Sequence, residues 1–423
     1  MIERESRFLT PTASPRIEEN EIWANAEAGI LVQDARSDAL IRANRIHDGK
    51  KWGICTDAGA SPRIEENEVW ANGPAGIAIQ GHGTAPLVRA NRIYDGNGSG
   101  IWVVGGASPR IEENEVWANA EAGISIDNAG SEPIVRANRV HDGQAGGIFV
   151  CDRASPRIQD NEIWANAHAG IEIRDSGSDP FVKANRVRDG HTGGILVHHG
   201  ASPRIEENEI WANAQSGIEI RDPGSDPLVR ANVVHDGQWL GISIYDGACP
   251  RIDGNQIYAN TAAGISIHEA ETDPSVQGNK IFDGQARGII VWAGASPRIE
   301  GNEIWANADE AILIVDAGTD PVVRANRVHD SSVAGILVQG AAGPRIEENE
   351  IRATAGHGIW VAGDGTSPVI TGNVIEDGLG DGIYVTEGAS PAITGNTLAR
   401  NAWDAIEVAE DAHPRIGQNA TTG

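Results

Sequence analysis

The sequence is poor in cysteine, methionine and lysine, and it contains no long run of apolar residues. Its three cysteines, Cys55, Cys151 and Cys249, are scattered, so we expect neither a disulfide framework nor a cysteine metal site. No segment is long and apolar enough to predict a membrane span. The first seven residues are charged and unlike a signal peptide, so we expect a cytoplasmic protein if the sequence is full-length.

Positive charge is also in short supply. The chain has 33 Lys and Arg residues against 60 Asp and Glu residues, a formal net charge of −27 over 423 residues. A surface this acidic repels phosphate backbones and anionic lipid, so we expect neither nucleic acid nor a membrane as partner.

What the sequence has in abundance is repetition. An asparagine recurs at alternating spacings of 24 and 23 residues, and only the final step departs from the alternation. A period this regular predicts one structural unit stacked many times. These ladder asparagines are Asn20, Asn44, Asn67, Asn91, Asn114, Asn138, Asn161, Asn185, Asn208, Asn232, Asn255, Asn279, Asn302, Asn326, Asn349, Asn373, Asn396 and Asn419.

Within each unit, apolar and polar residues alternate over short runs that are separated by Gly, Pro, Asn and Asp, which is typical of half-buried strands between tight turns. Three apolar columns recur. One follows the recurring glycine, as at Ile30, and the others lie three residues before and two residues after the ladder asparagine, as at Ile17 and Ile22. Three β-branched residues per unit, each pointing inward, predict three short parallel strands per turn.

We therefore predict an all-β fold, a single-stranded right-handed parallel β-helix (solenoid) of about 17–18 turns with an internal asparagine ladder. We expect residues 1–13 to form an N-terminal cap or degenerate turn and residues 14–423 to form the β-helix. The ladder amides should bond the turn backbone and the asparagines of adjacent turns. The recurring glycine should occupy a corner where a side chain or a negative φ would clash. An open strand edge on the last turn predicts an end-to-end homodimer.

Two outward columns alternate in charge from turn to turn. They lie two residues before and one residue after the ladder asparagine, and begin Glu18, Arg42, Glu65 and Glu21, Arg45, Glu68. Because strands of adjacent turns lie about 4.8 Å apart, alternation should place every acid between two bases and favour the correct register.

The unit Gly-Ile-x-Val, a loop, then Pro-x-Ile-x-x-Asn-x-Ile-x-x-Asn resembles the right-handed β-helix repeat family over residues 14–423. That family includes carbohydrate-binding and sugar-hydrolase β-helix domains, NosD-type proteins and β-helix segments of F-box proteins. The resemblance implies the fold, but its members include lyases, epimerases, hydrolases and binding modules. The Asp-Pro-His-Asp signature of alginate epimerases is missing, since Asp179-Pro180 and Asp226-Pro227 continue with Phe and Leu, and the polygalacturonase pattern survives only as Gly81-His82-Gly83.

An outward column three residues after each ladder asparagine is rich in aromatic residues, and Trp117, Trp164 and Trp211 are its candidates for binding sugar rings. The structural alternative is that these rings stack on one another and shield the sheet, with a cation–π contribution from Arg188. Both interpretations stay open at this point.

A second candidate surface lies where the middle turns depart from the consensus beyond the recurring glycine. Carboxylate, His, Arg and Tyr are the residue types that proton abstraction from a sugar ring requires. The alternative is that they continue the charged surface seen elsewhere in the repeat. The candidate binding residues of this surface are Glu172, Arg174, His198, Glu219, Arg221, Tyr245 and His268.

We expect a non-catalytic β-helix scaffold that binds a glycan or a protein partner, with no metal and no cofactor. One alternative is a polysaccharide lyase or C5-epimerase in which His198, Glu219 and Arg221 would be catalytic. The other is a structural rod that assembles end to end.

Overall fold

The computed structural model describes residues 7–8, 14–35, 37–409 and 411–422, with Arg7 and Phe8 described by their backbone alone. Apart from that short strand, the predicted N-terminal cap lies outside the described residues. The chain divides into two compact units, Met1–Ala214 and Gln215–Gly423, which we call the first half and the second half.

The described part of the first half contains three parallel sheets of nine short strands each. Sheet A contains Arg7–Phe8, Ile30–Val32, Ile54–Thr56, Ala75–Gln80, Ser99–Val104, Ile124–Ile126, Ile148–Val150, Ile171–Arg174 and Ile195–His198. Sheet B contains Arg16–Glu18, Leu40–Arg42, Arg63–Glu65, Leu87–Arg89, Arg110–Glu112, Ile134–Arg136, Arg157–Gln159, Phe181–Lys183 and Arg204–Glu206. Sheet C contains Glu21–Trp23, Arg45–His47, Glu68–Trp70, Arg92–Tyr94, Glu115–Trp117, Arg139–His141, Glu162–Trp164, Arg186–Arg188 and Glu209–Trp211.

The second half is built in the same way over its described residues. Its sheet A contains Ile218–Arg221, Ile242–Tyr245, Ile265–His268, Ile289–Trp292, Ile312–Val315, Ala334–Gln339, His357–Ala362, Ile383–Thr386 and Ile406–Val408. Its sheet B contains Leu228–Arg230, Arg251–Asp253, Ser275–Gln277, Arg298–Glu300, Val322–Arg324, Arg345–Glu347, Val369–Thr371, Ala392–Thr394 and Arg415–Gly417. Its sheet C contains Val233–His235, Gln256–Tyr258, Lys280–Phe282, Glu303–Trp305, Arg327–His329, Glu350–Arg352, Val374–Glu376, Thr397–Ala399 and Ala420–Thr422.

This arrangement confirms the predicted all-β solenoid with three parallel strands per turn. Strands of one sheet pair in register between adjacent turns, as where Ile124 faces Ile148. The three apolar columns form the core: Ile124, Ile111 and Val116, one from each sheet, are fully buried. Among the described residues, no helix is long and apolar enough to cross a lipid bilayer. All three cysteines are free thiols, as expected.

The asparagine ladder is also confirmed. The Asn138 backbone N–H and side-chain Nδ2 both donate to Asn161 Oδ1, at 2.9 and 3.0 Å, and Nδ2 also donates to the carbonyl of Ile111 at 2.8 Å. These bonds satisfy amide groups that are wholly removed from water. A second, sparser ladder escaped prediction: Asn119 is buried in an alternate turn, and its Oδ1 accepts the Gly96 N–H at 3.0 Å.

Close packing against the next turn, and not the backbone φ, requires the recurring glycine. The expectation that a negative φ would clash at this corner was wrong. A Cβ placed on Gly100 would lie 2.5 Å from Val116 Cγ1 and 2.6 Å from the carbonyl oxygen of Gly123. Yet Gly100 is not among the glycines with positive φ. Close approach of the next turn, and not a left-handed backbone, therefore excludes a side chain here.

One of the two charged columns pairs as predicted and the other does not. Arg45 lies between Glu21 and Glu68, with N–O distances of 3.2 and 3.4 Å. In the other column, Arg42 instead reaches Glu66, which precedes the next ladder asparagine, at 2.9 Å. The acids of that column pair inside their own strand, as Glu18 does with Arg16 at 2.8 Å. For these acids, the arginine two positions away on the same face of their own strand is a nearer partner than the arginine of the adjacent turn.

Candidate functional site

The outward aromatic column of sheet C forms stacked rings in each half. In the first half, Trp117 lies between Tyr94 and His141, with ring centroids 4.4 and 6.0 Å apart and nearly parallel planes. Trp164 lies between His141, at 4.1 Å, and the guanidinium of Arg188, at 5.2 Å. In the second half, the continuous stack consists of His235, Tyr258, Phe282, Trp305 and His329.

This stacking covers the ring faces that a sugar would need. The Arg188 guanidinium also lies 5.8 Å from the ring centroid of Trp211. The histidines of the column are also held by the aspartate that follows each of them in the chain. Nδ1 of His141, for example, lies 2.7 Å from Asp142 Oδ2. The geometry therefore favours the structural interpretation of Trp117, Trp164 and Trp211, which present ring edges to solvent.

Three of the candidate residues on the outer face of sheet A belong to the first half. His198 is almost fully buried, and its Nε2 lies 3.1 Å from Glu172 Oε1. That hydrogen bond is the largest of the effects that hold the pKa of Glu172 below its usual value. The Arg174 guanidinium covers the ring of Phe149 at 4.7 Å, and its Nε lies 3.6 Å from Asp175. Each of the three is engaged by neighbouring side chains.

The remaining four candidates come together on sheet A of the second half. The Tyr245 hydroxyl donates to Glu219 Oε1 at 2.6 Å, and Arg221 Nε lies 3.6 Å from the same oxygen. Burial and this bond raise the pKa of Tyr245 above its usual value. The ring of His268 stacks on Tyr245 at 4.9 Å, and burial lowers the pKa of His268.

Beside this group lies a surface that we call the serine shelf, formed by Ser243, Tyr245, Ser266, His268 and Trp292. Ser243 and Ser266 face each other across adjacent strands and form a floor of small side chains. Tyr245, His268 and Trp292 form a three-ring stack at the ends of their strands, with His268 and Trp292 centroids 4.5 Å apart. Trp292 remains 37% exposed at the end of this stack.

A match to the family of right-handed β-helix regions extends over the chain, in overlapping segments at residues 7–91, 80–187, 157–281, 250–368 and 321–421. The chain belongs to the right-handed β-helix family. This membership agrees with the strand pattern of each half and supplies the handedness that was predicted.

Solved β-helix structures resemble the chain at low sequence identity. A chain of the Vag8–C1 inhibitor complex shares 12% identity at a TM-score of 0.54, covering 97% of this chain and 100% of that one. The periplasmic alginate epimerase AlgG shares 12% identity at a TM-score of 0.42, covering 74% and 77%. The mannuronan C-5 epimerase AlgE4 A-module of Azotobacter vinelandii shares 14% identity at a TM-score of 0.35, covering 91% and 90%. No curated protein sequence matches the chain. Identities this low show the β-helix fold alone.

Several residues of the serine shelf escaped prediction from the β-helix repeat. Ser243 and Ser266 carry no ionisable or aromatic group that would single them out, and Trp292 lies in the column that contains Tyr245 and His268. Reading that column one turn further would have found it. The exposed Trp239, on the turn that leads into the Ile242–Tyr245 strand, is a large residue where the next turn has Ala262.

Proposed function

We propose that the chain binds a linear, uncharged polysaccharide on the serine shelf of its second half and does not cleave it. The observation that carries this proposal is the ring stack of Tyr245, His268 and Trp292 beside a floor of two serines. A low floor bordered by aromatic rings suits a flat, hydroxyl-rich chain, because sugar C–H groups contact rings while hydroxyls bond polar side chains.

Hydrogen-bonding groups on this surface support a polar ligand. Arg221 Nε and His268 Nδ1 are buried nitrogens that make no hydrogen bond in the described residues. Their acidic neighbours are at 3.6 Å for Glu219 and 3.5 Å for Glu269, beyond good hydrogen-bond distance. Both nitrogens lie below the surface, but the Arg221 side chain is 34% exposed, so part of it is open to a ligand hydroxyl. The exposed Trp239 adds a further aromatic surface on the turn before Ser243.

The charge of the surface favours an uncharged ligand. Asp222, Asp246 and Glu269 occupy one left-handed turn position in successive turns next to the shelf. The pKa of Asp246 is raised, first by a hydrogen bond with Asp222, then by burial and by the negative charges of Asp222 and Glu269. With a net charge of −27, the chain should repel polyuronates.

The Tyr245–Glu219 pair supports binding without catalysis. A tyrosine that acts as a base must lose its proton, but this hydroxyl donates to a carboxylate and its pKa is raised. We therefore expect no lyase or epimerase turnover at Glu219 and Arg221.

The test is a glycan-array screen of the purified chain, followed by calorimetric titration of the best ligand. Trp292→Ala should weaken binding on the order of tenfold, the effect of losing one aromatic contact. Trp305→Ala, in the second-half stack of sheet C, is the matched control and should leave affinity unchanged. Circular dichroism establishes that both variants are folded.

Three outcomes would overturn the proposal. Preferential binding of polyuronates would contradict the role given to Asp222, Asp246 and Glu269. Loss of binding in Trp305→Ala or Trp164→Ala, with Trp292→Ala unaffected, would transfer the glycan surface to sheet C. Release of shortened or unsaturated products by the wild type would replace binding with catalysis.

A further inference from the structure

A group of polar residues near the end of sheet A in the second half departs from the repeat. The position two residues before the inward isoleucine is small in most turns, as at Ala263 and Ala334. In three successive later turns it is His357, Asp381 and Asp404. The serine shelf lies on earlier turns, so this group is a separate feature.

Asp381 is a fully buried carboxylate. Its Oδ1 accepts the Asp404 backbone N–H at 2.8 Å, whereas its Oδ2 receives no hydrogen bond in the described residues. A buried carboxylate oxygen without a donor is costly, since its desolvation is not repaid.

Among the described residues, His357 lies close to this oxygen, and its geometry works against a donor role. Its Nδ1 lies 3.0 Å from Asp381 Oδ2, but the same Nδ1 accepts the Asp381 backbone N–H at 3.3 Å. A nitrogen that accepts this bond has no proton to donate to the carboxylate.

Two further carboxylates converge on Asp381. One oxygen each from Asp381, Asp404 and Glu407 lie within 4.8 Å of one another. Asp404 is exposed and Glu407 is half-buried, so the group is open to solvent on one side.

We propose that Asp381, Asp404 and Glu407 bind a divalent cation, with calcium preferred to magnesium. Three converging carboxylates offer hard oxygen ligands, and the open side leaves room for water to complete six to eight positions. The cation would supply the missing partner of Asp381 Oδ2 and cancel the repulsion among three acids. Magnesium is disfavoured because it retains its water shell and takes fewer carboxylates. The ion would join adjacent turns, since Asp381 belongs to one turn and the other two ligands to the next.

Terbium luminescence tests the site on the whole chain, because the lanthanide replaces calcium at oxygen sites and the indole of the adjacent Trp403 can excite it. We expect saturable luminescence that calcium displaces far better than magnesium. Asp381→Asn and Glu407→Gln should each weaken binding on the order of tenfold or more, as expected from removing a charged ligand. Asp364→Asn, an exposed carboxylate elsewhere in the half, should have no effect.

Several results would overturn the assignment. They are the absence of saturable terbium and calcium binding in the wild type, equal affinity in Glu407→Gln, or selective binding of zinc through His357. Glu407 is half-buried, so its variant should fold even if Asp381→Asn does not, and circular dichroism checks both. Glycan affinity measured with and without a chelator separates this site from the serine shelf, whose binding should not change.

Discussion

The outer faces of sheets C and A differ in how far they repeat. On sheet C the same kinds of side chain return every second turn, so that His47 and His141 each stack on the tryptophan of the next turn and bond an aspartate of their own. On sheet A of the second half, neighbouring turns carry unlike residues, such as Ser266, Ile290 and Leu313 at one position. The regular face stacks each ring on the ring of the next turn, although Nε2 of His47 and of His141 is buried there without a hydrogen bond. The irregular face presents a different set of side chains in each turn, and Asp381 Oδ2 is one of its buried atoms without a hydrogen bond.

The difference bears on where a ligand binds in a repeat protein. A repeated side chain finds its partner one turn away, which makes it a structural element. A residue type that does not recur along its column cannot belong to such a repeated pair and is a candidate for another role. Trp292 and Asp381 are of this second kind, although Trp292 stacks on His268 of the preceding turn, whereas Trp117 and Trp164 are of the first.

Both faces lie on turns that are joined by the asparagine ladder, and removing a ladder amide should have the largest effect. Asn161→Ala would leave the backbone N–H of Asn138 without its acceptor and remove one of the acceptors of its Nδ2 at a fully buried position. We expect a loss of on the order of 3 kcal/mol in unfolding free energy, since each unsatisfied group costs about 1–3 kcal/mol. Urea denaturation measures it. Asn97→Ala, at an exposed site, is the control, and an equal loss there would show that the ladder is not special.

The two faces should respond in opposite ways to loss of a tryptophan. Trp164→Ala removes stacking on His141 and the cation–π contact with Arg188, so we expect a loss of about 1–2 kcal/mol in stability. Its glycan affinity should stay at the wild-type value. Trp292→Ala should instead lose affinity with a smaller change in stability. Thermal unfolding and calorimetry on the same two variants decide, and parallel changes would erase the distinction between the faces.

The fold was predictable from sequence because its signals repeat. Ile111 and Asn138 belong to columns that recur in nearly every turn, so chance cannot account for them. The ion-pair prediction failed where several carboxylates lie close to one arginine. Arg42 pairs with Glu66 and not with the residues of its own column in the adjacent turns. The φ of Gly100 was misjudged because sequence shows the missing side chain but not which atoms exclude it.

The candidate site was less predictable because its residues do not repeat from turn to turn. Glu219, Arg221, Tyr245 and His268 do come together in the second half, because register places their positions side by side. Asp381 was not predicted because the residue at its position varies from turn to turn, and its significance depends on full burial and on an oxygen without a donor. Neither property can be read from a single substitution in a repeat.

Acid should weaken the irregular face through His268. Burial holds the pKa of His268 below the usual 6.5, so the folded state favours the neutral ring. The stabilisation is therefore full above about pH 6.5 and is lost as the pH falls through the folded-state pKa. We expect wild type to lose more stability than His268→Gln between pH 8 and pH 5, by less than the Trp164 effect. Urea midpoints measure this difference, and identical pH profiles would contradict the role of burial.

The smallest expected effect concerns the backbone turns that both faces share. Ala137 has φ of 53°, in the left-handed region, and Gly254 and Gly301 occupy the equivalent position in the second half. A left-handed alanine costs about 1–2 kcal/mol, part of which glycine returns as unfolded-state entropy. Ala137→Gly should therefore stabilise the chain by about 0.5 kcal/mol, seen as a slightly higher urea midpoint. Ala145→Gly, at a residue outside the left-handed set, should destabilise it instead. If both variants lost stability, the left-handed alanine would not be strained. The difference between the two faces would then involve more than their side chains.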